Sequence, residues 1–169
     1  MQTWEAITSR RNVRSFADQP IAGEHLDRIL DAGRRAPSSR NSQPWDFVLI
    51  TDRGLLEQLA TVWVGAGHIA SSAATIALIV DESNEGARRV QFDLGQATMS
   101  VMLAAADLGI GSGHSGVGDQ DLARQLLGLP ATKSCAFLIS LGYPADRPLG
   151  PIKNPDRRAF DDVVHRGRW

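Results

Sequence analysis

The sequence predicts one domain in which helices and strands form three layers, of either the α/β or the α+β class. Two observations support this prediction: short apolar runs alternate with segments of helical periodicity, and neither an internal repeat nor a linker divides the chain. A length of 169 residues with 43% hydrophobic and 22% charged residues is ordinary for one globular domain. We therefore expect a single domain over residues 1–169.

The N-terminal third predicts two helices separated by an irregular segment. A short helix is expected over residues 3–9, and the arginine-rich residues 10–20 follow it without helical periodicity. Apolar side chains recur at spacings of three and four over residues 24–36, which predicts a second helix. Pro37 ends this helix because proline cannot donate the backbone hydrogen bond that continues one.

The middle of the chain predicts strand, helix and strand. The apolar run of residues 47–50 is typical of a short strand, and Asp52 is placed to cap the helix after it. That helix carries its apolar side chains at Leu55, Leu56, Leu59 and Val62. Gly65 and Gly67 interrupt the pattern before a second strand over residues 75–80.

The longest periodic stretch, residues 87–108, has a wide apolar surface and predicts a central helix. Five glycines follow within residues 109–118, and we expect a loop there. Asp119 begins another helix, which ends at Gly128, and residues 135–141 form the third predicted strand.

The C-terminal tail, residues 145–169, is too poor in apolar residues to build a core of its own. It has few apolar side chains until Phe160, Val163, Val164 and Trp169. The tail either lies across its own domain or wraps a partner subunit. We favour wrapping, because a terminal tryptophan left in water would be unusual.

Charge and cysteine content narrow the classes of partner. A formal net charge of -1 provides no overall attraction to nucleic acid or to an anionic membrane. A single cysteine, Cys135, rules out an intrachain disulfide framework and fits a reducing compartment. No signal peptide and no apolar run long enough to span a membrane is found, so we expect a cytoplasmic location.

The irregular N-terminal segment contains three arginines, Arg10, Arg11 and Arg14, in a stretch of only five residues. Guanidinium groups bind phosphate oxygens in a bidentate manner, so this cluster is a candidate site for a phosphorylated ligand. The alternative is a solvated basic turn. The spacing alone does not decide between the two.

A polar loop over residues 37–45 is a second candidate site. Its hydroxyl and amide side chains are Ser38, Ser39, Asn41, Ser42 and Gln43. Amides match the alternating donors and acceptors at the edge of a flavin ring, and hydroxyls match a ribityl chain. A plain polar turn would have the same composition.

The glycine-rich segment after the long helix contains Gly111, Ser112, Gly113 and His114. Its letters match a dinucleotide-binding fingerprint, but it follows a helix rather than a strand, which disfavours a Rossmann site. Its backbone could still approach a flat ligand such as a flavin, and His114 could contact cofactor or substrate or bond within the loop. The scattered histidines and single cysteine predict no metal site.

Four motifs occur in one order along the chain. They are Arg-Arg-x-x-Arg-x-Phe from Arg10, Pro-Ser-Ser-x-Asn-Ser-Gln-Pro-Trp over residues 37–45, Leu-Gly-x-Gly from Leu108 and Gly-Tyr-Pro from Gly142. In this order they resemble the nitroreductase family, and residues 157–165 resemble the family's closing segment. The resemblance spans nearly the whole chain, and the second motif is its most specific part.

The resemblance implies an α+β fold with a mostly antiparallel central sheet, arranged as a domain-swapped homodimer whose tails exchange a strand. It also implies two FMN sites at the dimer interface. Its FMN-binding positions match Arg10, Arg11, Asn12, Arg14, Gln43, Gly111, Ser112, Gly113, His114, Arg157 and Arg158, with Pro37, Ser38, Ser39 and Asn41 supplied by the partner subunit.

The implied reaction has two halves: NADH or NADPH reduces the flavin, and a small acceptor such as a nitroaromatic or a quinone oxidises it again. The flavin supplies the chemistry, so no catalytic side chain is predicted. Residues 50–87 leave little room for a helical lid, which leaves the acceptor open. A flavin enzyme with a specialised substrate and a non-enzymatic flavin-binding protein remain alternatives.

Overall fold

A four-stranded sheet lies at the centre of the chain's computed structural model, which describes residues 1–84 and 86–169. The described helices are α1 (Thr3–Ser9), α2 (Gly23–Arg34), α3 (Arg53–Leu59), α4 (Arg88–Asp107) and α5 (Gln120–Leu127). The strands are β1 (Asp46–Ile50), β2 (Ala74–Asp81), β3 (Gly111–Ser115) and β4 (Lys133–Gly142). Residues Val64–Ser71 form a 3₁₀ segment before β2.

The sheet has the order β1-β2-β4-β3, and all three pairs of neighbouring strands are antiparallel. On one face of the sheet, buried side chains of β2 and β4 such as Ile76 and Ile139 pack against α2 and α4. On the opposite face, Ala77 and Leu138 pack against α3, α5 and the 3₁₀ segment. The three-layer prediction is confirmed, and the antiparallel pairing places the fold in the α+β class.

The helix caps match the sequence prediction in detail. The Asp52 side chain accepts a hydrogen bond from the amide of Leu55 at 2.8 Å, and Asp119 accepts one from the amide of Leu122 at 2.9 Å. Each satisfies an amide that the first turn of a helix leaves without a partner. Gly128 ends α5 in the left-handed conformation, with φ 64°.

The prediction of a loop over residues 109–118 is wrong in part, because β3 occupies its centre. Gly113 pairs with Ser140 and His114 pairs with Ile139 of β4. Glycine lowers strand propensity because it has no side chain to pack, so periodicity could not reveal this strand. The strand forms because β4 offers a complete row of backbone partners.

The N-terminal segment runs beside the exposed edge of β3. Asn12 forms an isolated bridge with Ser112, and the amide of Val13 donates to the carbonyl of Ser112 at 2.9 Å. Farther along, the amide of Ala17 donates to the carbonyl of Tyr143 at 2.8 Å. These bonds fix the arginine-rich segment against the sheet although it is neither helix nor strand.

Within the described residues, the tail's hydrogen bonds to its own domain all lie near its start. The amide of Ala145 donates to Ser15 and that of Ile152 donates to Thr8, both at 3.0 Å. From Lys153 onward every residue is exposed, and Trp169 is 99% exposed. The tail therefore does not cover its own domain over most of its length.

None of the helices that the structure describes is long and apolar enough to cross a membrane. Cys135 is buried in β4 and belongs to the core on the α3 and α5 side.

Candidate functional site

A cavity of about 280 Å³ lies between the N-terminal segment, β3 and α4. Arg10, Asn12 and His114 line it from the segment and the strand. The helix contributes one stripe of residues, Gln91, Gly95, Thr98 and Met102, with Met99 at its margin. Two predicted site regions, the arginine-rich segment and the glycine-rich strand, therefore meet at one cavity.

Sequence reasoning missed the helix side of this cavity. The residues of the stripe are spaced by four, three and four, so they share one face of α4. They are small, polar or flexible, unlike the bulky apolar residues that pack on the sheet. That departure within an otherwise apolar helix was the available signal.

A second cavity of about 630 Å³ continues from the first along α4, and the two share Arg10 and Met99. Arg157 of the tail also lines this second cavity. No acidic side chain lines either cavity within the described residues. We call the two cavities together the α4 groove. The positive charge of its arginines suits an anion, although the chain as a whole is slightly negative.

The other predicted cations have different surroundings. Arg11 donates to the carboxylate of Asp146 at 2.6 Å and to the carbonyl of Arg147 at 2.9 Å, so it holds the start of the tail. The hydrogen bond from Arg11 lowers the pKa of Asp146. Arg158 donates to the carbonyl of Asp162, within the tail itself. Neither lines the α4 groove.

Two glycines in β3 allow the N-terminal segment to approach closely. A Cβ on Gly111 would lie 2.7 Å from Cγ2 of Val13, and a Cβ on Gly113 would lie 2.5 Å from the carbonyl oxygen of Val13. Both distances are shorter than van der Waals contact, so no other residue fits without displacement. Ser112 is buried between them, whereas the His114 side chain is exposed toward the groove.

His68 is a buried residue near this strand that sequence reasoning passed over. Its Nε2 lies 3.3 Å from the position a Cβ would take on Gly113, and it has no hydrogen-bond partner in the described structure. Burial lowers the pKa of His68, and the charge of Arg14 lowers it further, against a smaller opposing effect of the Gly65 carbonyl. Both effects favour the neutral form of the ring.

The polar loop lies on a different flank of α4 from the α4 groove. Pro37 accepts a hydrogen bond from Gln96, and the backbone amide of Ser39 donates to both carboxylate oxygens of Asp93 at 3.1 Å. Asp93 and Gln96 lie roughly opposite the groove-lining stripe, because a helix turns about 100° per residue. The loop and the arginine cluster therefore do not meet within one chain.

The loop also has an unusual backbone. Arg40, Asn41 and Gln43 have positive φ angles of 55°, 54° and 47°. Residues other than glycine rarely adopt this left-handed backbone region, and each instance costs on the order of 1 kcal/mol or more. Ser38 supports the turn by accepting a hydrogen bond from the amide of Gln43 at 2.9 Å.

Comparison with known proteins identifies this arrangement of helices, sheet and loops. The family model described as the Nitroreductase family matches residues 7–64 and 62–143. The chain belongs to the nitroreductase family. The prediction of an FMN-dependent NAD(P)H oxidoreductase of this kind is confirmed at the level of the family.

Relatives of this nitroreductase-family chain include proteins of similar and of greater length. One from Archaeoglobus fulgidus, with the provisional name NADH dehydrogenase/NAD(P)H nitroreductase, is 31% identical over 96% of both chains. The oxygen-insensitive NADPH nitroreductase of Salmonella typhimurium is 28% identical over 99% of this chain and 74% of its own.

A solved structure supports the nitroreductase fold across the whole chain. The NADPH:FMN oxidoreductase from Vibrio harveyi, complexed with NAD⁺, has a TM-score of 0.84 and is 26% identical, over 99% of this chain and 77% of its own. Its larger size is consistent with additional segments that this nitroreductase-family chain lacks.

Proposed function

We propose that this chain binds FMN in the α4 groove and transfers reducing equivalents from NADH or NADPH to a small acceptor such as a nitroaromatic or a quinone. The observation that supports this most directly is the groove itself. It joins a cationic end, at Arg10 and Arg157, to a cavity that Asn12 and, from the glycine-rich strand β3, His114 line. Membership of the nitroreductase family supplies the cofactor class.

The cationic end would hold the phosphate of FMN. Arg10 and Arg157 come from opposite ends of the chain and line the same cavity, where no described acidic side chain competes for them. Arg14 is exposed and lines neither cavity, but it belongs to the same N-terminal segment and adds positive charge to it. Charge-assisted hydrogen bonds of this kind are roughly twice as strong as neutral ones, enough to anchor a dianion.

The other end would hold the flavin ring along β3. Asn12, Gln91 and His114 place polar groups around the cavity, and the unpartnered Nε2 of His68 lies just behind Gly113. A bound FMN would accept a hydride from the nicotinamide and return electrons to the acceptor. The protein's part is to hold the ring, leave one face open and exclude competitors.

A second copy of the chain would complete the site. The outer stripe of α4 exposes Phe92 by 68% and Met99 by 43%, and the tail exposes Phe160 and Trp169. The outer edge of β1 pairs with no strand in the described chain, so it is open to strand addition by a partner's tail. The polar loop and the α4 groove flank the same exposed stripe, which would let each chain's loop reach its partner's groove.

The purified protein provides the first test. We expect a yellow preparation that releases FMN on denaturation. The Arg10→Ala variant should bind FMN about tenfold or more weakly, since Arg10 lines the groove. Arg14→Ala should also weaken binding, because it removes a positive charge from the same N-terminal segment. The control is Arg35→Ala, an exposed arginine directly after α2 that pairs with Asp31 and should leave affinity unchanged.

A colourless protein that cannot be reconstituted with FMN would refute the cofactor assignment, and unchanged affinity in both arginine variants would refute the phosphate site. Anaerobic mixing with NADH or NADPH then separates the alternatives. Rapid bleaching followed by reoxidation with a nitroaromatic or a quinone supports the proposed reaction. Bound flavin that neither nucleotide reduces would favour a flavin-binding protein without this activity.

A further inference from the structure

The polar loop, residues 37–43, is held in place from α4. The backbone amide of Ser39 donates to both oxygens of Asp93 at 3.1 Å, its hydroxyl donates to Oδ1 at 3.3 Å, and Gln96 donates to the carbonyl of Pro37 at 3.3 Å. In the part of the chain that the structure describes, every hydrogen bond from residues 37–44 to another element involves one of these two α4 side chains. The loop conformation therefore depends on the helix.

This dependence matters because the loop would not keep its shape by itself. Three of its residues, Arg40, Asn41 and Gln43, have left-handed backbone angles, and their side chains are exposed. Strained backbone of this kind persists only where its surroundings impose it, and it concentrates at functional sites. With no core packing at the tip, the hydrogen bonds at Ser39 and Pro37 impose it, together with the bond from the amide of Gln43 to Ser38 within the loop.

Asp93 is an unusual residue to find in this position. It is fully buried, and within the described residues no lysine, arginine or histidine pairs with its carboxylate. Its hydrogen-bond donors are the amide and hydroxyl of Ser39 and, at 3.4 Å, the side chain of Gln96. Burying a carboxylate is costly, and here all of the hydrogen bonds that Asp93 accepts, except the one from Gln96, come from the loop.

We propose that Asp93 is a positioning residue that acts in trans: by fixing Ser39, it shapes the loop that completes the FMN site of the partner subunit. This inference rests on the proposed function. The same helix lines its own chain's groove with Gln91 and Thr98 and anchors the loop with Asp93. The helix α4 therefore shapes two half-sites: the groove that would hold its own chain's FMN, and the loop that would contact the FMN of the partner subunit.

The first experiment measures FMN affinity in the purified dimer. Asp93→Ala should weaken FMN binding about tenfold or more, because it removes a charged acceptor of several hydrogen bonds, while dimerisation persists. Asp93→Asn should recover much of the affinity, since its amide oxygen can still accept from Ser39. The control on the same helix is Asp107→Ala, which loses ion pairs to Met1 and Arg28 but no contact with the loop.

A folded, dimeric Asp93→Ala protein with wild-type FMN affinity would overturn the inference. If that variant does not fold, Gln96→Ala takes its place. Gln96→Ala removes the bond to Pro37 and should weaken FMN binding in a folded protein. Wild-type affinity in Gln96→Ala would then overturn the inference.

A mixed dimer tests the action in trans. In a dimer of one Arg10→Ala chain and one Asp93→Ala chain, one site receives both defects and the other receives neither. We expect one FMN per mixed dimer with wild-type affinity, whereas each parent homodimer binds weakly at both sites. A mixed dimer with no site of wild-type affinity would overturn action in trans, and a general loss of stability could not produce the expected half-stoichiometry.

A readout without FMN keeps the two proposals distinguishable. Trypsin can cleave after the exposed Arg40, and cleavage requires the loop to open. Asp93→Ala should be cut there faster than wild type and Asp107→Ala should not. Equal cleavage rates would refute the anchoring role of Asp93 but would leave the proposed function standing. Failure of the wild-type protein to bind FMN would instead refute the proposed function, and the role of Asp93 in trans with it.

Discussion

At the scale of single residues, Gly113 decides how closely the arginine-rich segment lies against β3. Replacing it with alanine would place a methyl group 2.5 Å from the carbonyl oxygen of Val13, which is backbone and cannot rotate away. We expect Gly113→Ala to lower the free energy of unfolding by about 1–3 kcal/mol and to weaken FMN binding by displacing Arg10 and Arg14. Denaturant titration and flavin titration would measure the two effects.

The neighbouring Gly116 provides the matched control. A Cβ there meets nothing within 4 Å, and its φ is not in the left-handed region. Gly116→Ala should therefore change stability by no more than about 0.5 kcal/mol and leave flavin affinity alone. Equal effects of the two substitutions would show that close approach at Gly113 is unimportant.

His68 gives the stability of the protein a dependence on pH. Its pKa is lowered in the folded state by burial and by Arg14, so the unfolded chain takes up a proton at a higher pH than the folded one. Its contribution to stability is present above the unfolded pKa of about 6.5 and is lost as pH falls toward the folded value. His68→Gln should flatten this decline in urea titrations between about pH 7 and pH 5.

A nuclear magnetic resonance titration checks the cause. Arg14→Ala should raise the pKa of His68, because it removes the nearby positive charge that disfavours the protonated ring. An unchanged pKa would mean that burial alone produces the shift. Identical pH profiles for wild type and His68→Gln would count against any contribution of this histidine to stability.

At the scale of elements, the helices were predictable and β3 was not. The caps at Asp52 and Asp119 and the apolar periodicity of α2 and α4 are local signals, and the structure reproduces them to within about two residues at most ends. The strand β3 depends on pairing with β4, which no local pattern in a glycine-rich segment records. The same limit hid His68 and the groove-lining stripe of α4, whose roles depend on distant parts of the chain.

The cap of α5 illustrates how local such a signal is. Asp119→Ala removes the acceptor for the amide of Leu122 and should lower the free energy of unfolding by about 1 kcal/mol. Flavin binding should not change, because α5 packs on the sheet face opposite the α4 groove. Calorimetry together with flavin titration would measure this; a loss of flavin with unchanged stability would contradict it.

At the scale of the whole molecule, the motifs predicted the family and, within the α4 groove, Arg10, Asn12, His114 and Arg157, but the spatial grouping of the predicted residues had to come from the structure. The sequence places the polar loop and Arg10 within 35 residues of each other, yet they lie on different flanks of α4. In the proposed dimer, a second chain would unite them. The exposed outer stripe of α4 is the surface on which that second chain would pack.

Charge on this stripe should therefore separate the subunits. We expect Phe92→Glu to give folded monomers that bind little FMN, because burying an unpaired carboxylate at an apolar interface is costly. Val64→Glu adds the same charge at an apolar side chain that is 93% exposed and lies outside the stripe, so it should remain dimeric. Sedimentation at micromolar concentration would decide, and a flavin-bound Phe92→Glu monomer would refute the two-chain site.

If FMN is held between two chains as proposed, the position of the polar loop and the α4 groove on different flanks of one helix also has a consequence for how the protein behaves on dilution. If neither half alone retains FMN well, cofactor retention depends on the amount of protein present and not only on the amount of FMN. By linkage, FMN then strengthens subunit association by the same factor by which association strengthens FMN binding. A cell that makes little of this chain would hold it largely as colourless, separate subunits, and activity would rise more steeply than expression.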